Sequence, residues 1–94
     1  MYLVRDVFRC KPGKAGAVAE KFKQVNALMG SRSSRVLVDA VATYWTVVLE
    51  AEVEDLAAFE QEMQAYRDTP GVQEAMAGYM DLVDGGHREI FRVV

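Results

Sequence analysis

His87 is the only histidine in this 94-residue chain, and Glu89 follows it two positions later. On a strand, residues two apart share a face, so the carboxylate is placed to orient the imidazole. Histidine titrates near neutrality, which makes His87 the natural general acid or base. The plainer alternative is an exposed residue at a strand start. Two five-residue stretches also nearly repeat: Arg5-Asp6-Val7-Phe8-Arg9 and Arg88-Glu89-Ile90-Phe91-Arg92. Arginine forks bind carboxylates bidentately, so Arg5, Arg9, Arg88 and Arg92 on one face would form an anion site. In the opposite register Arg5 and Arg9 meet Glu89, while Asp6 meets Arg88 and Arg92. Opposite charges across strands stabilise by about 0.2–1 kcal/mol per pair and like charges cost as much. The complementary register is therefore expected, and with it structural ion pairs.

Cys10 is the sole cysteine, so no intrachain disulfide is possible and a reducing, cytoplasmic setting is expected. Without a nearby base it reads as a small buried hydrophobe rather than a nucleophile. One histidine and one cysteine give no transition-metal cluster, so no metal and no cofactor is expected. A formal charge of −3 argues against a nucleic-acid partner. No apolar run approaches the ~20 residues of a membrane span, and no leader is expected ahead of the first strand. Residues 1–94 form a single domain, since a chain this short encloses one core.

The elements that position these groups follow from hydrophobic period. Tyr2 to Cys10 reads as a strand ending at the turn Lys11-Pro12-Gly13-Lys14. Ala15, Val18, Phe22, Val25 and Met29 then line one helical face, stopped by Gly30 and Ser31-Arg32-Ser33-Ser34. The spacing predicts two strands over Val36–Ala42 and Tyr44–Val53, with Trp45, Val47, Leu49, Ala51 and Val53 on one face. Glu54-Asp55 opens a second helix whose buried stripe is Leu56, Phe59, Met63 and Tyr66. Thr69-Pro70 reads as the cap of a third helix running from Val72 to Val83. Gly85-Gly86 ends it before a last strand, His87 to Val94.

The order β-α-β-β-α-α-β predicts an α+β fold: a four-stranded antiparallel sheet of order 4-1-3-2 with helices on one face. The other face exposes Leu3, Val7, Leu37, Val41, Val48 and either Ile90 or Phe91. An apolar patch of that extent on a small domain marks an interface, and a twofold homodimer is its commonest closed solution.

The turn Lys11-Pro12-Gly13-Lys14, with Thr46-Val47-Val48-Leu49-Glu50-Ala51-Glu52 leading into Leu56-Ala57-Ala58-Phe59-Glu60, resembles the dimeric α/β-barrel superfamily. NIPSNAP-like and antibiotic-biosynthesis-monooxygenase-like proteins are the nearest groups. The resemblance implies a ferredoxin-like protomer whose sheet pairs with a second copy into a dimeric α/β barrel. Haem-degrading members use a first-strand asparagine, a tryptophan and a helical histidine. Here Asn26 lies on the first helix and His87 on a strand, so that constellation is absent.

Candidate ligand-binding residues are Asp6, Trp45, Tyr66, Tyr79, His87 and Glu89, with Phe8 and the later methionines as cavity lining. Three functions stay open. One is a homodimeric module binding a small organic ligand between sheet and helices, as the NIPSNAP resemblance implies. A second is a cofactor-independent monooxygenase or related enzyme for a small aromatic or polyketide-like compound, and a third is a purely structural oligomerisation domain.

Overall fold

The structure is a computed structural model and describes residues 1–30 and 34–94. Strand β1 (Tyr2–Cys10) leads through the Lys11–Lys14 turn into helix α1 (Ala15–Met29). Strands β2 (Ser34–Val38) and β3 (Thr46–Val53) follow, then α2 (Leu56–Asp68), the short α3 (Val72–Met76), a 3-10 turn (Tyr79–Leu82) and β4 (Val83–Arg92). The strands form one antiparallel sheet ordered β2-β3-β1-β4, which is the expected 4-1-3-2 order read from the other edge. Among the described residues no helix is long and apolar enough to cross a membrane.

Helix α1 forms as its period predicts. Ala15, Val18, Ala19, Phe22 and Val25 are buried, and Gly30 closes the helix in the left-handed conformation, its N–H bonded to Asn26 and Ala27 carbonyls. The expected stop at Ser31-Arg32-Ser33 lies outside the described residues. Against α1 pack Cys10, Val47, Val72 and Met76, with Phe8 and Leu49 at the margin. Fully burying each such side chain is worth about 1.5–3 kcal/mol, so this one cluster carries the fold. Helix α2 is capped by Asp55, whose carboxylate accepts from the Ala58 N–H at 2.7 Å. It contributes no fully buried residue, and Leu56 at the start of its expected stripe is exposed.

Several expected boundaries are corrected. The two middle strands stop short of the hairpin, so residues 39–45 form a loop and Trp45 lies outside β3. Asp39 causes this: its carboxylate takes the Thr46 N–H at 2.9 Å, and its own N–H bonds the Thr46 carbonyl. Thr69 caps the end of α2, its hydroxyl donating to the Ala65 carbonyl, and Gly71 opens α3. The third helix stops at Met76, where Ala77 turns extended with ψ 129°, and Gly78 follows with a left-handed φ of 81°. Gly85 and Gly86 lie inside β4, which begins at Val83, so His87 sits in mid-strand. A Cβ on Gly86 would stand 2.3 Å from the Val7 carbonyl oxygen, so glycine lets β4 lie against β1.

Candidate functional site

Strand parity sorts the polar groups onto two faces. The β1–β4 ladder pairs Arg5 with Glu89 and Asp6 with Arg88, the complementary register. Tyr2, Val4, Asp6, Phe8 and Cys10 therefore turn toward the helices, together with Arg88 and Ile90. Leu3, Arg5, Val7 and Arg9 turn to the open face with His87, Glu89 and Phe91.

On the helix side the Arg88 guanidinium donates from Nε and Nη2 to the two Asp6 carboxylate oxygens. It also lies 4.9 Å from the centre of the Phe59 ring and reaches the Met63 sulfur at 3.7 Å. This pair borders a cleft between the sheet and helices α1 and α2. Val4, Leu49 and Ala51 form its floor, Val25 and Met29 one wall, and Phe59, Met63 and Tyr66 the other. Asn26 and Ser34 hydrogen-bond to one another at its rim. Burial pushes the Tyr66 phenol above its ordinary value and Tyr79 adds to this, so at neutral pH Tyr66 keeps its O–H donor. The cleft holds about 50 Å³, room for a few waters, against the several hundred Å³ of a typical ligand pocket. A larger guest must lift α2, the helix without a buried residue.

Of the candidates read from sequence, Asp6 and Tyr66 line this cleft and the others stand elsewhere. Tyr79 packs with Phe8 and Phe22 in an aromatic trio, ring centres 4.8–6.5 Å apart. Trp45 is exposed on the hairpin beside Val38 and Tyr44, with a left-handed φ of 61°. The later methionines divide: Met29 and Met63 line the cleft, Met76 is core, and Met80 is exposed. His87 and Glu89 face the open side, their side chains 3.6 Å apart and well exposed. His87 borders a shallow hollow of about 530 Å³ with Val7, Arg9 and Thr46.

The open face centres on a carboxylate outside the matching strand ends, one of the acids near enough to offset their arginines. Glu50, 3 % exposed, accepts from Arg5 Nε at 2.8 Å and from Arg35 Nε at 2.9 Å and Nη2 at 2.5 Å. Hydrogen bonds from Arg35 hold its carboxyl below the usual range; desolvation opposes this, and Arg5 adds to the lowering. The signal was parity: Glu50 alternates with Val47 and Leu49, and strand order places it between β1 and β2. Cys10 is buried, which raises its thiol pKa, with Asp39 and Asp84 reinforcing the shift. The thiol is held neutral, the opposite of an activated nucleophile.

Comparison with solved structures places this arrangement. A NIPSNAP-like domain protein from Burkholderia xenovorans superposes with a TM-score of 0.83 at 15 % identity, over 99 % of this chain and 84 % of that one. A NIPSNAP family protein from Agrobacterium tumefaciens gives 0.81 at 10 % identity, over 99 % and 92 %. A putative antibiotic biosynthesis monooxygenase from Chloroflexus aurantiacus gives 0.71 at 21 % identity, over 99 % and 93 %. The chain shares their fold. That fold hosts different activities, so the likeness stops at architecture. No family model matches the sequence. Among curated proteins, translation initiation factor IF-2 of Alcanivorax borkumensis is 37 % identical over 90 residues, 96 % of this chain. The chain spans 9 % of that protein's length.

Proposed function

We propose that this chain is a homodimeric module that binds a small organic ligand between its sheet and helices. One observation carries the reading: a mainly apolar cleft whose charged groups are Asp6, paired with Arg88, and Glu62 lies under a helix that buries nothing fully. Ligand sites combine apolar walls with a few polar groups that fix orientation. Asp6 retains acceptor capacity beside its two bonds from Arg88, and Tyr66 offers a donor. A compact ring bearing a hydroxyl or amide fits that chemistry. Entry requires α2 to tilt outward, which costs little because α2 is held only by half-buried contacts.

The homodimer is supported by the open face, where Leu3, Val7, Leu37, Val48 and Phe91 form apolar rows. A single buried thiol supports residence in a reducing compartment, the cytoplasm. The test is a thermal-shift screen of small hydroxylated aromatics on the purified protein. A ligand whose stabilisation disappears in Met63→Trp, which fills the cleft, supports the reading. Stabilisation that survives in a folded Met63→Trp protein overturns it.

The match to the translation initiation factor favours a second reading, in which the domain binds the translation machinery. Co-sedimentation with purified ribosomal subunits tests it, and a chain that stays wholly in the supernatant rules it out.

A further inference from the structure

The loop between β2 and β3 carries two bare aromatic side chains, Tyr44 at 83 % exposure and Trp45 at 42 %. Trp45 is also the only residue other than glycine, among the described residues, with a left-handed φ. Two bonds lock it there. The Trp45 carbonyl accepts from the Cys10 N–H at 2.8 Å, and the next N–H, that of Thr46, is taken by the Asp39 carboxylate at 2.9 Å. Backbone held against its own preference in this way clusters at ligand clamps. Both rings line a hollow of about 320 Å³ between the loop and the first turn of α1, with Val38 and Ala15 beside them. It shares no lining residue with the cleft under α2.

Asp39 is the one charged side chain lining the hollow. The Thr46 N–H engages its Oδ1, and among the described residues no lysine or arginine pairs with it. The field at this end of the sheet is negative: burial raises the Cys10 thiol first, and Asp39 and then Asp84 raise it further. We propose that Asp39, Tyr44 and Trp45 form a binding site for a small quaternary ammonium ion, its methyl groups against the rings and its charge matched by the carboxylate. Aromatic faces attract such ions through the ring quadrupole, and most strongly at tryptophan. A primary ammonium donates three hydrogen bonds, whereas the side chains here offer one free carboxylate oxygen and the Tyr44 hydroxyl. The start of α1, which has no side-chain cap, adds partial positive charge nearby and disfavours a compact metal ion. An ion whose charge is spread over its methyl groups meets that penalty least.

Trp45 is the only tryptophan in the chain, so its fluorescence reports on this site directly. Choline titrated into the purified protein at constant ionic strength should change that emission saturably. Its neutral isostere, with carbon in place of the nitrogen, should bind at least about fivefold more weakly. Asp39→Asn keeps an oxygen for the Thr46 N–H and removes the charge, so it should lower choline binding to the level of the isostere. Tyr44→Leu should weaken choline as well, and Glu62→Gln, in the other cleft, should leave it unchanged. Circular dichroism checks that each variant is folded. Emission that choline does not move, an equal response to the isostere, or full choline binding in folded Asp39→Asn would each overturn the proposal. The comparison of choline with its isostere uses the native chain and decides the part played by charge even if Asp39→Asn does not fold. Binding lost in Glu62→Gln but kept in Asp39→Asn would put the ion in the cleft and overturn the site.

Discussion

Arg88 on β4 lies directly opposite Asp6 on β1, and its guanidinium closes on that carboxylate while covering the Phe59 ring of α2. One side chain thereby ties the edge strand, the central strand and the loosest helix together. The Asp6 side chain is 15 % exposed and that of Arg88 is 44 %, so the pair sits between the surface and interior regimes.

Replacing Asp6 by alanine should cost about 1–2 kcal/mol, because it removes charge-assisted bonds and leaves a guanidinium on an apolar floor. Arg88→Lys should recover less than half of the loss from Arg88→Ala, since an ammonium cannot fork to both oxygens and cover Phe59. Urea unfolding midpoints measure both. Full recovery by lysine would mean that charge alone matters there.

Glu50 gives stability a pH dependence with a definite sign. Its folded pKa lies below its unfolded value, so its contribution is present above the unfolded value, about pH 4.3, and is lost as pH falls through the folded one. Melting temperature should drop on acidification below that point in the native protein. Glu50→Gln should show a shallower drop there and lose about 1–2 kcal/mol at pH 7, a modest figure because both arginines reach solvent. Parallel pH profiles for the two proteins would remove Glu50 from the account.

Gly86 and Gly85 are neighbours with different tolerances. A Cβ at Gly86 would collide with the Val7 backbone, whereas one at Gly85 would meet only the Arg9 guanidinium, at 3.2 Å. Gly86→Ala should therefore destabilise by about 2 kcal/mol or more, and Gly85→Ala by less than about 1 kcal/mol. Equal costs in denaturant titrations would contradict the close approach of β1 and β4.

Trp45 holds a left-handed φ of 61°, a conformation that Asn adopts more easily than Ala. Trp45→Asn and Trp45→Ala both delete the half-exposed indole, so comparing them isolates the backbone. The asparagine variant should be the more stable by about 0.5–1 kcal/mol in differential scanning calorimetry.

Local period and alternation carried much of this fold in advance. The apolar face of α1, the start of α2 at Glu54-Asp55 and the sheet order all follow from residues within a few positions of one another or from connection rules. The register of β1 on β4 followed as well, because the opposite choice opposes like charges. The third helix did not: its apolar spacing continues through Ala77-Gly78, and local pattern weighs a positive φ poorly. Gly85-Gly86 resembled a breaker because the reason for glycine there is a distant backbone, that of Val7.

For the charged strand ends, Arg5 to Arg9 and Arg88 to Arg92, parity left two registers open, and only the pairing of opposite charges favoured the complementary one. Which partners they take was decided only by tertiary structure. Glu50 is 45 residues from Arg5 and 15 from Arg35, and it draws on both because β3 passes between their strands. Glu89 is left half exposed by that competition, and Asp6 goes with Arg88 to the border of the cleft. Parity is a property of each strand, whereas pairing depends on which strands lie side by side.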